Sequence, residues 1–510
     1  MALLDIFRPR AAAPNPATAP STERVEPTLV KRRSFKMAKT GRLNAGWSTQ
    51  SRPMAQILKA DLSAMRARSN DLAQNDPYMR RFLSLCKSNI VGPDGVQLLP
   101  QARRPNGDLD EADNRTIAAA WKKWQRVAMV TGQTFRTAEL TIAASVPRDG
   151  EILIRMVTGW RRNEFGFALQ LIGARHLDHR LNFDRPNGNR VRLGIEYDAW
   201  QAPAAYWITT EDPTVETIAL TGKRHRRIPA SEIIHLFVGD WDSQGRGIPW
   251  VHAAGDRLEK LGAYEEAALV AARIGASKMG FFEEAEPDAY TNPGEDGESD
   301  LEFDDRGDII QDAEPGHFER LPAGVQFKDW NPDYPSGEFE PFRRAMLHGV
   351  SGGVDLSYAS LTGDLSQVNF SSTRYGDLQE RASWRLLQSI WIDIFYERLK
   401  DAWLEAALLT GALDLPPSKI GKFREAAWQP RGWEEVDRAK AANADKTELR
   451  LGLSSRTEIC ARRGRSFETI VDQLAAEQAY AARKGVDVSR FSLEDPAATA
   501  GNDEKETDNA

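Results

Sequence analysis

The chain has 510 residues, too many for one hydrophobic core, so several domains are expected. Charged residues make up 28% with both signs interspersed and a formal net charge of −7, which argues against tight, non-specific nucleic-acid binding by the whole surface. Two cysteines, Cys86 and Cys460, supply no disulfide framework and point to a reducing compartment.

MALLDIFRPRAAAPNP has no charged segment leading into an apolar run, so no signal peptide is expected. No stretch reaches ~18 uninterrupted apolar residues, so no membrane span is expected and the protein reads as soluble. Residues 1–50 read as a flexible arm. Pro14, Pro16, Pro20 and Pro27 exclude regular structure, and Lys31, Arg32, Arg33, Lys36 and Lys39 form a basic cluster. From Arg52 the spacing becomes helical, with Ile57, Leu58, Leu62 and Met65 on one face. Asp76-Pro77 opens a second helix, and Gly92-Pro93-Asp94-Gly95 makes a turn. Another helix is expected near Glu111–Val127, with Trp121 and Trp124 on one side. EILIRMV (151–157), FALQLIG (167–173), residues 195–208 and IPASEIIHLF (228–237) then read as strands. The class is α+β, without regularly alternating βαβ units.

Pro249 precedes a long helix, about 251–278, whose Ala and Gly content lets another helix approach closely. Fourteen acids against one base, Arg306, then fall between Glu283 and Glu314, around strand-like patches at 308–311 and 324–327. Helical spacing returns at Phe339–Val350 and is expected to break at Gly349, Gly352 and Gly353. The chain thus runs helix, acidic module, helix. LTGDLSQVNFSSTRYG (361–376) follows, a polar loop of about 16 residues where connections have a median of ~4–6. Ser372 is the expected N-cap of a helix reaching Leu409, with Leu378, Ala382, Leu386, Ile390, Ile394, Leu399, Trp403 and Ala406 at 3–4 spacing and Trp384, Trp391 and Phe395 alongside. Polar helices at 434–451 and 466–483 and an acidic, disordered tail complete the chain.

The chain lacks the phosphate-loop, dinucleotide, HExxH and GxSxG motifs and any paired CxxC. His176 and His179 (HLDH) have no third ligand placed by spacing, and SLCK (84–87) lacks the companion motifs of serine acyl enzymes. No enzyme, cofactor or metal is expected. The one enzymatic alternative is a nuclease using the acidic module with Mg²⁺.

NAGWSTQSRP (44–53), RSNDLAQNDPYMRRFLSLCKSNIVGPDGVQ (68–97), RDGEILIRM (148–156) and LTGDLSQVNFSSTRYG (361–376) resemble the lambda-type portal proteins of tailed bacteriophages. The resemblance covers about 44–410 and extends to prophage-encoded homologues. It implies a portal-type fold: wing at 51–250, first stem helix at 251–278, clip at 279–335, second stem helix at 336–358, tunnel loop at 359–375, long wing helix at 376–415 and crown at 416–490. It further implies a homo-oligomeric ring, typically dodecameric, at one capsid vertex, through which double-stranded DNA is packaged and ejected. The implied partners are the terminase large subunit, head-completion or adaptor proteins, and the major capsid or scaffold protein, with the host cytoplasm as the place of assembly. On that reading Lys260, Arg273 and Lys278 are expected to face the channel, with Gln367, Asn369 and Ser371 presented from the loop. Glu295, Asp296, Glu298 and Asp300 are expected to dock the packaging motor. A net acidic ring with a few spaced bases would hold DNA weakly and let it slide. The structural alternative to this reading is another ring-forming virion connector or minor capsid protein.

Overall fold

The computed structural model describes residues 51–209, 225–276, 337–366, 370–435 and 437–486, with Arg42 and the strand segments 280–284, 302–303, 309–310 and 325–329. The chain divides into two units, Met1–Arg52 and Pro53–Ala510.

The second unit opens with α1 (Met54–Asn75) and α2 (Pro77–Cys86), separated by Asp76, whose carboxylate accepts from the Met79 amide at 2.6 Å as the N-cap of α2. A π turn, Lys87–Val91, leads through Gly92–Gly95 to β1 (Gln97–Pro100), α3 (Glu111–Trp124) and α4 (Phe135–Asp149). Next come β2 (Glu151–Thr158), β3 (Phe167–Gly173), β4 (Phe183–Asp184), β5 (Arg190–Arg192), β6 (Ile195–Tyr197), β7 (Pro203–Thr209), β8 (His225–Pro229) and β9 (Ile233–Phe237). β2 is the centre of an antiparallel sheet in the order β3-β2-β9, and β4 to β8 form a five-stranded antiparallel meander. The strands expected at 151–157, 167–173 and 195–208 are present. Residues 228–237 divide, ending β8, making a 3-10 turn at Ala230–Glu232 and forming β9.

A long helix, α5 (Gly255–Ala276), precedes β10 (Gly280–Glu284), β11 (Glu302–Phe303), β12 (Ile309–Ile310) and β13 (Val325–Asp329). β10 pairs with β13, and β11 with β12. α6 (Phe339–Gly353), α7 (Tyr358–Thr362) and α8 (Phe370–Trp391) follow. A π turn at Ile392–Tyr396 joins α8 to α9 (Glu397–Leu409), so helical backbone runs about 60 Å at ~1.5 Å per residue. After α10 (Ile420–Phe423), β14 (Ala426–Gln429) returns to pair with β1. α11 (Arg438–Arg450), α12 (Arg456–Arg462) and α13 (Phe467–Lys484) end the described chain.

The main core is aromatic. Trp121 lies 4.8 Å from Trp124 and 5.0 Å edge-on from Trp403, with Phe135 and Phe395 stacked at 6.1 Å beside them. Such pairs add roughly 0.5–1.5 kcal/mol each beyond their buried area. The π turn inserts one residue into the helical repeat, so that neighbours Phe395 and Tyr396 are both buried here.

Two expectations about helix faces are corrected. The first part of the 3–4 stripe, Leu378, Leu386 and Ile394, is the outward side of the long helix, whereas its later members Leu399 and Trp403 are buried, as are Trp384, Trp391 and Phe395 together with the polar Arg381 and Gln388. Likewise α1 buries Arg66 and Ser69 beside Leu58 and Leu62, leaving Met65 half-buried. In both cases polar residues on the buried face shift the apparent apolar stripe, because they satisfy partners across the interface.

For α1 those partners lie at RDGE. Arg66 Nε donates to the Asp149 carbonyl at 2.8 Å, Ser69 Oγ to the Arg148 carbonyl at 2.6 Å, and Asn70 Nδ2 to Asp149 Oδ1 at 2.8 Å. Gly150, at φ +88°, caps α4 in the left-handed region and packs against the backbone of Gly247 and Ile248. The RSND and RDGE motifs are therefore two halves of one joint.

Candidate functional site

The helix pair α5–α6 and the loop that follows it hold the residues expected to meet DNA. The two helices run antiparallel. Tyr264 stacks on Phe339 at 5.7 Å and meets Phe342 at 4.8 Å, Arg257 lies over Gly349, and Ala254 touches Gly353. The glycines do not break α6, which continues through Gly353. A Cβ at Gly353 would stand 3.0 Å from the Ala254 Cβ and 3.4 Å from its backbone, so this small pair allows the close approach of the helices, while the flexible Arg257 side chain occupies the space over Gly349.

Lys260 is exposed on α5, and its Nζ donates to Asp256 Oδ2 at 2.6 Å one turn earlier. That bond raises the lysine's pKa and matches its charge locally. Arg273 is exposed near the C-terminal end of the same helix, with Glu266 exposed two turns before it. Lys278, Gln367 and Asn369 lie outside the described residues, as do Glu295, Asp296, Glu298 and Asp300. The backbone of Ser371 belongs to the first turn of α8. The structure thus brings Lys260 and Arg273 onto one helix and leaves the other expected positions open.

The segment expected to be a sixteen-residue loop is shorter. α7 takes in Leu361 and Thr362, and α8 begins at Phe370 rather than after Ser372, leaving 363–369 between helices. The entry into this segment is latched. Asp364 Oδ2 accepts from Arg344 Nη2 at 3.1 Å and from the Tyr358 hydroxyl at 3.3 Å, while Oδ1 accepts from the Ser366 amide at 2.9 Å. The bonds from Ser366, then those from Arg344 and Tyr358, hold the Asp364 carboxyl at about 2. Tyr358 is stacked on His348 at 4.4 Å with Arg344 over its ring at 5.5 Å, so α6 and α7 both position the carboxylate. Arg81 Nε donates to the Ser360 carbonyl at 2.9 Å, tying α7 to α2. A sequence signal for the latch existed only in Ser357, which caps α7 by accepting from the Ser360 amide.

An open, largely apolar cleft of about 280 Å³ lies between Phe82, Trp250, Val354, Trp384 and Leu387, beside the exposed Leu386. Among the described residues no three His, Cys, Asp or Glu side chains are grouped to hold a metal. His179 is half-buried, and burial followed by the Arg246 charge lowers its pKa. Ser84 and Lys87 are both exposed, and Cys86 is buried with its thiol pKa pushed up by burial. No helix among the described residues is long and apolar enough to cross a membrane.

Residues 40–388 match the family model for phage portal proteins of the lambda family. The probable portal protein of Halomonas phage phiHAP-1 is 34% identical over 479 residues, covering 93% of this chain and 91% of that one. Portal protein B of Escherichia phage lambda is 20% identical over 471 residues, 84% of this chain and 86% of that one. Among solved structures, a chain in the neck of an empty gene transfer agent particle aligns with 82% of this chain and 97% of its own length, at 14% identity and a TM-score of 0.42. A chain in the neck of the native particle aligns with 78% and 92%, at 13% identity and a TM-score of 0.41. The chain belongs to the lambda family of phage portal proteins.

Proposed function

We propose that copies of this chain form a closed ring at one capsid vertex and that duplex DNA passes along its axis during packaging and ejection. Family membership makes the chain a structural component of the virion's portal vertex and favours neither an enzyme nor another connector. The observation that carries the finer reading is the excursion α5, β10–β13, α6, which returns directly to the latched segment at 358–366. Two close-packed helices with a small strand module between them suit a stem and clip, and the segment after them suits a collar at the axis. The outward stripe Leu378, Leu386, Ile394 and the cleft beside it supply apolar surface for a neighbouring copy in a head-to-tail arrangement.

In this reading twelve subunits are typical. Lys260, Arg273, Lys278, Gln367, Asn369 and Ser371 belong to the channel side. Glu295, Asp296, Glu298 and Asp300 offer the terminase large subunit, and later head-completion proteins, an acidic docking surface. The capsid or scaffold protein would surround the body. Neutralising those four acids is expected to weaken terminase docking. Negative-stain microscopy of the purified full chain tests the ring: annular particles with a central hole are expected, and a population of compact monomers overturns it.

A further inference from the structure

The long helix and the segment after β14 meet where two guanidiniums lie against one indole, with a third, Arg381, one helical turn away. Arg385 on α8 lies with its Cζ 5.6 Å from the Trp433 ring centre, and the Arg431 Cζ lies 5.7 Å from the same ring. Arg381, one helical turn from Arg385, is buried and takes both neighbouring carboxylates, Asp377 at 2.6 Å and Glu435 at 3.0 Å. Among the described residues Arg431 bonds only neutral acceptors, the Ser88 carbonyl and Asn89 Oδ1, the latter at 2.7 Å. Arg385 is exposed and makes no hydrogen bond or ion pair among the described residues.

We propose that Arg385, backed by Trp433 and Arg431, binds the phosphate backbone of duplex DNA. The inference rests on the reading that DNA passes through a ring of these chains. Trp433 is fixed by its Nε1 donating to Asn89 Oδ1 at 3.1 Å, and Arg431 is fixed by the same amide. Gln388 Nε2 locks the arrangement to α8 by donating to the Asn89 and Arg431 carbonyls at 2.8 and 3.1 Å. The indole face therefore holds Arg385 in a restricted orientation before any ligand arrives, which lowers the ordering cost of binding a phosphate. Two positive charges without carboxylate partners among the described residues also set this patch apart from the stem, where Lys260 is already matched by Asp256. A planar guanidinium suits a phosphate's paired oxygens, and phosphate binding carries no base preference, as a sliding duplex requires.

The test is fluorescence anisotropy of a labelled duplex with the full-length ring across a salt series, comparing the unsubstituted chain with R385Q, R385K and a K260Q/R273Q double variant. R385Q is expected to bind more weakly and to flatten the slope of log affinity against log salt by about 0.9 for each phosphate it no longer neutralises. R385K is expected to keep that slope. An R385Q slope equal to that of the unsubstituted ring, or an R385K slope that falls with it, overturns the inference. If K260Q/R273Q flattens the slope while R385Q does not, the role of Arg385 falls and the channel reading stands. If the unsubstituted ring binds no duplex at any salt, both fall.

Discussion

Arg246 and Glu151 form a bidentate pair with no solvent-accessible side-chain surface on either residue, Nη2 to Oε1 at 2.5 Å and Nε to Oε2 at 3.1 Å. The same carboxylate accepts from the Gly247 amide at 2.7 Å and lies 3.0 Å from His235, and Arg66 Nη2 reaches it at 2.8 Å. Arg246 also donates to the Leu193 and Leu177 carbonyls at 2.6 and 2.9 Å. One acid therefore joins α1, both sheets and the segment leading to α5. Burial alone would raise the Glu151 pKa, but the Arg246 and Arg66 charges and the His235 bond outweigh it and hold the carboxyl well below its usual range. Removing one partner of such a node leaves buried guanidiniums uncompensated. Glu151→Ala is expected to cost about 3–5 kcal/mol in chemical denaturation. A loss under about 1 kcal/mol would mean the node contributes little.

Gly150, beside that acid, makes a separate steric prediction. A Cβ there would stand 2.5 Å from the Gly247 carbonyl carbon and from the Ile248 amide nitrogen, at a φ of +88°. Backbone cannot move aside as a flexible side chain can. Gly150→Ala is expected to destabilise by more than the ~1–2 kcal/mol of the left-handed conformation alone, read as a fall in melting temperature. An unchanged melting temperature would show that the two backbones separate at little cost.

Glu139 predicts the pH dependence. It is buried on α4, and its Oε1 accepts from the Tyr396 hydroxyl at 2.6 Å. Burial, partly opposed by Tyr396 and Arg136, pushes the carboxyl up from 4.5 to about 7. The folded state therefore holds a proton that the unfolded chain releases between about 4.5 and 7. This contribution is fully present below the unfolded pKa and is lost as pH rises toward the folded one, by roughly 3 kcal/mol in all at ~1.4 kcal/mol per unit. Glu139→Gln, which stays neutral, is expected to flatten stability against pH over that window. If the window keeps its slope in the variant, the dependence originates elsewhere. Glu196 acts in the opposite direction. Arg227, with Asn189, Arg185 and Trp207, holds it at about 2 against the cost of burial, so its contribution fades as pH falls below about 4.5.

Much of the fold is legible where one physical signal dominates. EILIRMV is a central strand covered on both faces, so apolar residues fall on both and only Arg155, half-buried and paired with Glu232 at 2.9 Å, interrupts the run. Trp121 and Trp124 fall on one side of α3 because nothing polar competes there. Legibility fails where buried polar groups carry the packing. Arg381 and Gln388 sit on the covered face of α8, so apolar periodicity selects Leu378 and Leu386 on the open one. A lone Glu139 in a helix reads as solvated until Tyr396, 257 residues later, closes over it. The pairing of β1 with β14 leaves no local signal either, since each strand has only four residues and half-buried positions. At the candidate site the helix–module–helix order is visible in composition, whereas the Arg344–Asp364 latch depends on two elements meeting in space.

That latch gives a local prediction. Both side chains of the Arg344–Asp364 pair are partly exposed, so solvent screens the pair and Asp364→Ala should barely shift global unfolding. Its effect belongs to the 358–366 segment, where the Ser366 amide and the Tyr358 hydroxyl lose their acceptor. Amide hydrogen exchange at Ser366 is expected to speed up severalfold while α8 protection is unchanged. Equal exchange rates in variant and parent would show that the carboxylate does not hold the segment.

The stem charges give the last prediction, and their local matching decides its size. Lys260 is already paired with Asp256 across one exposed helical turn, so its net pull on a passing phosphate is small. Lys260→Glu removes that match and places three acids, 256, 259 and 260, in one turn of α5. Arg273→Glu adds to the acidity of the same helix, two turns beyond Glu266. If these residues face the channel, the double charge swap repels DNA over much of the length of α5, and rings so altered are expected to retain less DNA after packaging. If they face outward or a neighbouring subunit, DNA retention stays at the parental level while ring assembly shifts. Measuring packaged DNA length together with the fraction of closed rings separates the two, because only the first quantity should fall when the charges line the passage.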